Sequence, residues 1–191
     1  HYVELSNHAG IQEKLWDIGN DIQQRHLIRI SYTKQGDKPT PVTRIVEPVS
    51  ILFSEYYFYL NAYIVVQQTD GRYEHKYDYP AIFRIDRIED YEHMDERFSL
   101  PYASRFQEGE FRKRVQFMYP GRLEKIRFRY TGKSVDAILD RLPTAKILSQ
   151  GDRIFEIEAE VYGKGIVMWL LSQGERVEVI APAHLREKMR D

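Results

Sequence analysis

Apolar residues in the first part of the chain recur at helical spacing and then alternate as in strands. In segment 10–24 they stand three or four positions apart, at Ile11, Leu15, Ile18 and Ile22, which predicts a helix. Extended segments follow up to about residue 97, with proline and Asp-Gly turn signals between them. Several short strands behind one helix predict a small, curled, barrel-like sheet.

A second series of elements is predicted from about residue 120. Its order is strand, helix, strand, strand, helix, strand and a final helix, and the long strand "RIFEIEAEVYG" alternates throughout. That order is the ferredoxin-like βαββαβ pattern. The polar segment 98–119 lacks a steady period and is predicted to be a linker. The predicted fold is α+β, with a helical linker at 1–24, a barrel at 25–97 and a ferredoxin-like domain at 120–191.

One predicted strand is unusually rich in tyrosine. Segment 54–66 reads "SEYYFYLNAYIVV" and has five aromatic rings between Tyr56 and Tyr63. Because side chains alternate along a strand, one side is predicted to be a buried apolar face and the other an accessible, ring-lined face. The buried set is Phe58, Leu60, Ala62 and Ile64, and the accessible set is Tyr57, Tyr59, Asn61 and Tyr63. The accessible face is either an ordinary solvated surface or a platform on which a planar ligand stacks.

Arginines near this strand favour the ligand platform. Arg44 lies on the preceding predicted strand, and Arg84 and Arg87 lie in the segment "FRIDRI". Arginine beside aromatic rings is the usual chemistry for recognising phosphates and bases. The alternative is that Asp86 forms a surface ion pair with one of these arginines, an interaction that contributes little energy.

Composition excludes several classes of function. The formal net charge is −1 over 191 residues, so any anion site is a local patch. The absence of cysteine excludes disulfides, thiolate metal sites and cysteine nucleophiles, and it fits a reducing, cytoplasmic location. No apolar run approaches the ~20 residues that span a bilayer, so no membrane partner is expected. The six histidines lack metal-ligand spacing and the carboxylates lack an acid–base arrangement, so neither a cofactor nor an enzyme is predicted.

An ordered set of short motifs resembles a known family. Residues 25–90 resemble the WYL domain of bacterial transcription regulators, whose Trp-Tyr-Leu tripeptide stands here as Phe58-Tyr59-Leu60. The matching segments, in order, are "ISY", "RIVEP", "FYLNAY" and "FRIDRI". The second series resembles the WCX extension that often follows a WYL domain, chiefly through "MWLLSQGERVEVIAPAHLREKM" at 168–189.

The resemblance implies a ligand-sensing effector region. It implies that the first domain is a small Sm-like or SH3-like β-barrel with an N-terminal helix, and that its ligand is a nucleotide or single-stranded nucleic acid. It also implies a homodimer that contacts promoter DNA through a winged helix-turn-helix domain not present in this chain. The ligand-binding residues that it implies are Tyr32, Arg44, Tyr59, Asn61, Tyr63, Arg84 and Arg87.

One departure from the family pattern bears on the ligand. The family often has an arginine three residues before the position of Arg84, where this chain has Ala81. The departure predicts a less charged ligand, or a substitute contact from His75, Lys76 or Tyr79.

Two other functions stay open. One is a WYL accessory protein that binds RNA or modulates a defence nuclease without its own helix-turn-helix, and the other is a nucleotide-processing enzyme, for which no catalytic constellation is evident.

Overall fold

The structure is a computed structural model that describes residues 10–34, 38–99, 108–115 and 117–189. The chain divides into two units, His1–Phe106 and Gln107–Asp191. Each combines an antiparallel sheet with helix, which confirms the α+β class. Within the described ranges, no helix is both long and apolar enough to cross a membrane. The start of the predicted helical linker, 1–9, and residues 100–107 and 116 of the predicted linker 98–119 lie outside the described residues.

Within the described residues, the first unit has one α-helix, one 3-10 helix and one six-stranded sheet. Its elements are α1 (Ile11–Gln24), β1 (His26–Lys34), β2 (Thr40–Ser54), β3 (Tyr57–Gln67), β4 (Tyr73–His75), β5 (Ala81–Arg84) and β6 (Ile88–Arg97). The sheet order is β4-β3-β2-β1-β6, and β5 also pairs with β3. Strand β2 pairs with β1 through residues 40–46 and with β3 through residues 45–54. A bulge between Pro48 and Ser50 lies within the second of these pairings, and bulges bend the strand that carries them.

The predicted helix α1 packs its apolar stripe against this sheet. Ile18 is fully buried in the core, and Ile11, Leu15 and Ile22 pack against the same cluster. The buried members of the cluster are Ile18, Ile28, Ile30, Val46, Leu60, Ala62, Phe83, Ile85 and Ile88. We call the side of the sheet that contacts this cluster the core face. The burial of Leu60 and Ala62 there confirms part of the predicted alternation along β3.

The second unit places four strands in one antiparallel sheet. Its elements are α2 (Glu108–Arg114), β7 (Leu123–Thr131), α3 (Asp136–Arg141), β8 (Lys146–Gln150), β9 (Ile154–Tyr162), α4 (Gly165–Ser172), β10 (Val177–Ala181) and α5 (Ala183–Lys188). The sheet order is β10-β7-β9-β8. The order of strands and helices after residue 120 agrees with the prediction. Trp169 of α4 is buried against Phe128 of β7, with their ring centroids 5.9 Å apart.

Helix α2 was not predicted from the sequence. It lies in the segment that was expected to be a linker, and tertiary contacts account for it. Phe111 is buried, and its ring lies 5.1 Å from that of Tyr162 in β9. Arg114 donates hydrogen bonds to Glu110 within the helix and to Glu160 of β9. Two turns with one deeply buried apolar residue show no repeating apolar pattern, so periodicity does not reveal them.

Candidate ligand-binding site

Strand β3 presents its tyrosines on the side opposite the core face. We call this side the tyrosine face, and its β3 residues are Tyr57, Tyr59, Asn61 and Tyr63. In the β-sheet register, Tyr59 lies opposite Arg84 of β5. Directly opposed residues of antiparallel strands point to the same side of the sheet, so Arg84 belongs to the tyrosine face.

Arg84 is held there by two neighbours. Its guanidinium carbon lies 3.6 Å from the centroid of the Tyr57 ring. Its Nε donates a hydrogen bond to Asp86 Oδ1 at 3.1 Å, and its Nη2 donates one to Asp86 Oδ2 at 2.5 Å. The ion pair is largely removed from solvent, with 21% of the Arg84 side chain and 15% of the Asp86 side chain exposed. The ion pair weighed as an alternative from the sequence is therefore present, and it neutralises Arg84.

The electrostatics of this cluster follow from the ion pair and from burial. The hydrogen bonds to Asp86 raise the pKa of Arg84, although burial acts in the opposite direction. Burial favours the protonated form of Asp86, but the hydrogen bonds and charge of Arg84 outweigh it and hold the pKa of that carboxyl below its ordinary value. Burial raises the pKa of the Tyr59 phenol, opposed by the charge of Arg84. At neutral pH the cluster presents a neutral phenol beside a compensated ion pair.

Arg87 supplies an uncompensated charge at the edge of this cluster. It ends the 3-10 helix Ile85–Arg87 that follows β5, and its side chain is exposed. Among the described residues it forms no ion pair. Because Arg84 and Asp86 compensate each other, the net charge of Arg84, Asp86 and Arg87 is about +1. A net charge of this size suits weak attraction of an anion.

Arg44 and Tyr32 lie on the other side of the sheet. Arg44 is opposite Ile30, a buried member of the core cluster, so its side chain starts from the core face. The Tyr32 ring packs against Phe83 of the same cluster at a centroid distance of 5.4 Å. The expectation that Arg44 stands beside Tyr59 and Tyr63 is therefore wrong. Arg44 lies on the other face because of the strand register, since a shift of one residue moves a side chain to the opposite face of the sheet.

The alternation prediction also fails at two β3 positions. Phe58 was expected to be buried but is 36% exposed, and it packs against Phe53 with ring centroids 5.0 Å apart. These two rings lie next to the β2–β3 turn, outside the core cluster. Asn61 was expected to be accessible but is fully buried. It lies in the middle of β3, flanked by Ser50 of β2 and by β5, and its Nδ2 donates to Ser50 Oγ at 3.3 Å.

The remaining tyrosine belongs to a cluster that the sequence did not reveal. Tyr63 is opposite Glu47 of β2 and stacks on the His75 ring, with centroids 4.2 Å apart and planes 2° from parallel. His75 Nε2 lies 3.0 Å from Glu47 Oε2. Glu47 is buried although it is acidic, and its position between the apolar residues of "RIVEP" was the available signal. His75, considered as a substitute for the absent arginine, is thus already paired with a carboxylate.

Two acceptor atoms near these tyrosines lack a hydrogen-bond partner. They are Glu47 Oε1 and Asn61 Oδ1, both buried and both unpaired in the part of the chain that the structure describes. Their residues share the tyrosine face, because Glu47 is opposite Tyr63 and Asn61 is two positions before Tyr63. Buried acceptors without partners are unfavourable, so this region of the face suits a group that supplies N–H donors.

A separate cluster in the first unit contains possible metal ligands. Asp21, His26 and His93 come together from α1, β1 and β6. Their sequence separations, 5 residues between Asp21 and His26 and 72 between Asp21 and His93, explain why spacing did not indicate a metal site.

Comparisons with known proteins identify a domain family for each of the two units. The model of the WYL domain matches residues 13–93, and the model of the WCX domain matches residues 122–191. The search of curated proteins found no match. Among solved structures, the proteasome accessory factor B/C (PafBC) of Arthrobacter aurescens is 19% identical, with a TM-score of 0.43 over 97% of this chain and 26% of that chain. A CRISPR Cas-related protein is 16% identical, with a TM-score of 0.53 over 94% of this chain and 50% of that chain. This chain therefore spans half or less of each, and the second likeness concerns the fold alone.

Proposed function

Since the chain belongs to the family in which a WYL domain is followed by a WCX domain, we propose that it is the ligand-sensing effector region of a bacterial transcriptional regulator. In this proposal the first unit is an Sm-like or SH3-like barrel, supported by the long bulged strand β2 that pairs with two neighbours. The second is a ferredoxin-like domain, supported by the order β10-β7-β9-β8.

The proposed ligand is a nucleotide or a short single-stranded nucleic acid on the tyrosine face. The observation that carries this proposal is the cluster of Tyr57, Tyr59 and Arg84, in which rings and a guanidinium lie on one side of β3 and β5. Aromatic rings of this kind bind bases by stacking, at about 1–3 kcal/mol for each base. Arg87 supplies the first phosphate contact, because Arg84 is compensated by Asp86 until a phosphate replaces that carboxylate.

The unpaired acceptors favour a ligand with a base over a simple anion. Glu47 Oε1 and Asn61 Oδ1 repel a phosphate but accept hydrogen bonds from the N–H groups of a nucleobase. Both atoms are buried, so the ligand reaches them only when the side chains around them move aside. In this proposal the base of the nucleotide contacts Glu47 and its phosphate contacts Arg87. These two contacts set the direction in which the nucleotide lies on the tyrosine face.

Regulation in this proposal is a shift between two arrangements. Ligand bound to the barrel acts through its differential affinity for these arrangements, and the shift is transmitted to a winged helix-turn-helix domain outside this chain. A cytoplasmic homodimer that reads paired half-sites in promoter DNA completes the proposal. The region itself acts as a sensor and performs no chemistry on its ligand.

Fluorescence anisotropy with labelled single-stranded DNA of about ten nucleotides tests the proposal. Wild type should bind at low salt, and Tyr59→Ala should weaken binding by about 5- to 150-fold, the loss of one stacked base. Tyr56→Ala is the matched control, because Tyr56 is exposed in the turn before β3 and lies outside the cluster. No binding by wild type, or equal binding by Tyr59→Ala, would overturn the proposal. Stronger binding of RNA of the same sequence would favour the accessory-protein alternative.

A further inference from the structure

Three side chains converge at the end of α1 with the geometry of a metal-ligand set. Asp21 Oδ1 lies 3.3 Å from His26 Nδ1 and 2.6 Å from His93 Nδ1. All three ligand atoms lie within 4.8 Å of one another. The two imidazole rings are 4.4 Å apart between centroids and nearly perpendicular, at 83°, so they approach the carboxylate from different directions.

The Asp21–His26 distance matches the ligand spacing of a tetrahedral zinc site, and the Asp21–His93 distance is shorter. Zinc bonds of about 2.0–2.2 Å to nitrogen and oxygen place neighbouring ligand atoms about 3.3 Å apart. His26 and Asp21 already have this separation. His93 has to withdraw by less than about 1 Å, and 49% of its side chain is exposed, so it has room to do so. Because His93 is partly exposed, water can reach the cluster to serve as a fourth ligand.

We propose that Asp21, His26 and His93 form a binding site for a divalent transition-metal ion, with Zn²⁺ as the expected occupant. Two imidazoles and one carboxylate suit zinc, cobalt or nickel, whereas magnesium and calcium prefer oxygen ligands throughout. The ligands come from α1, β1 and β6, so the ion ties the end of the helix to two strands of the sheet. None of the three residues lies on β3 or β5, and the site is independent of the proposed nucleotide function.

Arg97 provides the competing interaction in the metal-free protein. Its Nε donates a hydrogen bond to His26 Nε2 at 2.9 Å. That bond requires an unprotonated Nε2, so the neutral ring carries its proton on Nδ1 and donates it toward Asp21. A metal on Nδ1 moves the proton to Nε2, where it opposes the Arg97 donor. Arg97 is exposed and turns to solvent in the metal-bound state.

This competition predicts an unusual effect of substituting Arg97 on the affinity for zinc. Substitutions near a metal normally weaken binding, and loss of a partner of a ligand typically costs 10- to 100-fold in affinity. Arg97→Ala should instead strengthen Zn²⁺ binding, because it removes both a positive charge and the hydrogen bond that holds His26 in the wrong tautomer.

The test uses the full chain, freed of metal with a chelator and titrated with Zn²⁺ by calorimetry and with Co²⁺ by visible absorption. One ion should bind per chain, with the intense d–d bands of tetrahedral Co²⁺, and saturating Zn²⁺ should raise the melting temperature of wild type. His93→Ala should weaken binding at least tenfold and abolish the thermal shift. His184→Ala is the matched control and should bind like wild type. His184 pairs with Glu124 at 3.2 Å, and in the described part of the chain this pair belongs to no group of three possible ligands.

Several outcomes would overturn the site. Wild type that fails to bind Zn²⁺ in the micromolar range contradicts it, as does a folded His93→Ala variant with unchanged affinity. His93 is chosen over Asp21 because its partial exposure makes the variant tolerable, and circular dichroism verifies its fold. Weaker binding by Arg97→Ala would show that Arg97 supports the ligands, which contradicts the proposed competition between Arg97 and the ion.

Discussion

Replacing Asp86 by asparagine should lower stability and raise affinity for a phosphate-bearing ligand. The substitution keeps the size of the side chain but removes the charge that compensates Arg84, to which Asp86 is joined by two hydrogen bonds. Removal of one partner costs 3–5 kcal/mol for a fully buried pair and about 0–1 kcal/mol for an exposed one. With 21% and 15% of the two side chains exposed, we expect a loss of about 1–3 kcal/mol in the free energy of unfolding.

Ligand binding should change in the opposite direction. In Asp86→Asn the local charge of residues 84, 86 and 87 rises from about +1 to +2, and Arg84 is free to contact a phosphate. The salt dependence of oligonucleotide binding should steepen by about 0.7 in the logarithmic slope, which corresponds to one further phosphate. Urea unfolding and anisotropy over a salt series measure the two effects.

The control is Asp95→Asn, which makes the same change in net charge at an exposed position of β6. It should leave both stability and the salt slope close to those of wild type. The reasoning is refuted if Asp86→Asn loses no more stability than Asp95→Asn. It is equally refuted if Asp86→Asn binds the oligonucleotide more weakly, since Asp86 would then position Arg84 rather than compete with the phosphate.

The same ion pair should make stability depend on pH in the acid range. Because Arg84 holds the pKa of Asp86 below its ordinary value in the folded protein, the stabilisation is fully present above the unfolded pKa of about 3.9. It is lost as pH falls through the lower folded pKa. Asp86→Asn should therefore show a smaller loss of stability than wild type between about pH 5 and pH 2, measured by urea unfolding at each pH.

Three further predictions follow from the faces of the sheet. Leu60→Ala should cost about 2–5 kcal/mol in urea unfolding and Phe58→Ala clearly less, because only Leu60 is fully buried; equal costs would contradict the corrected position of Phe58. Ala81→Arg should lower the melting temperature without strengthening oligonucleotide binding, since residue 81 starts from the core face. Arg87→Gln should flatten the salt slope by about 0.7 while Arg44→Gln leaves it unchanged, and the reverse result in anisotropy would place the ligand on the core face.

Local patterns in the sequence determined most elements of the fold. The spacing of Ile11, Leu15, Ile18 and Ile22 defined α1, and alternation defined β9, because both periods arise from the backbone geometry of a single segment. Ordered motifs also sufficed to identify the WYL and WCX resemblance that the family models bear out. Helix α2 was not predicted because its stability depends on contacts of Phe111 and Arg114 with β9, rather than on a repeating pattern of apolar residues in its own sequence.

Only the tertiary structure decided which side chains share a face and which charges compensate one another. Arg44 and Tyr59 were grouped from the sequence, yet pairing register places Arg44 opposite Ile30 and Arg84 opposite Tyr59. Asp21 and His93 are 72 positions apart and meet only when α1 packs beside β6. The physical reason is that register, bulges and helix packing are set by contacts between distant segments. A single segment specifies its own periodicity, but the partner across from each residue depends on the whole sheet.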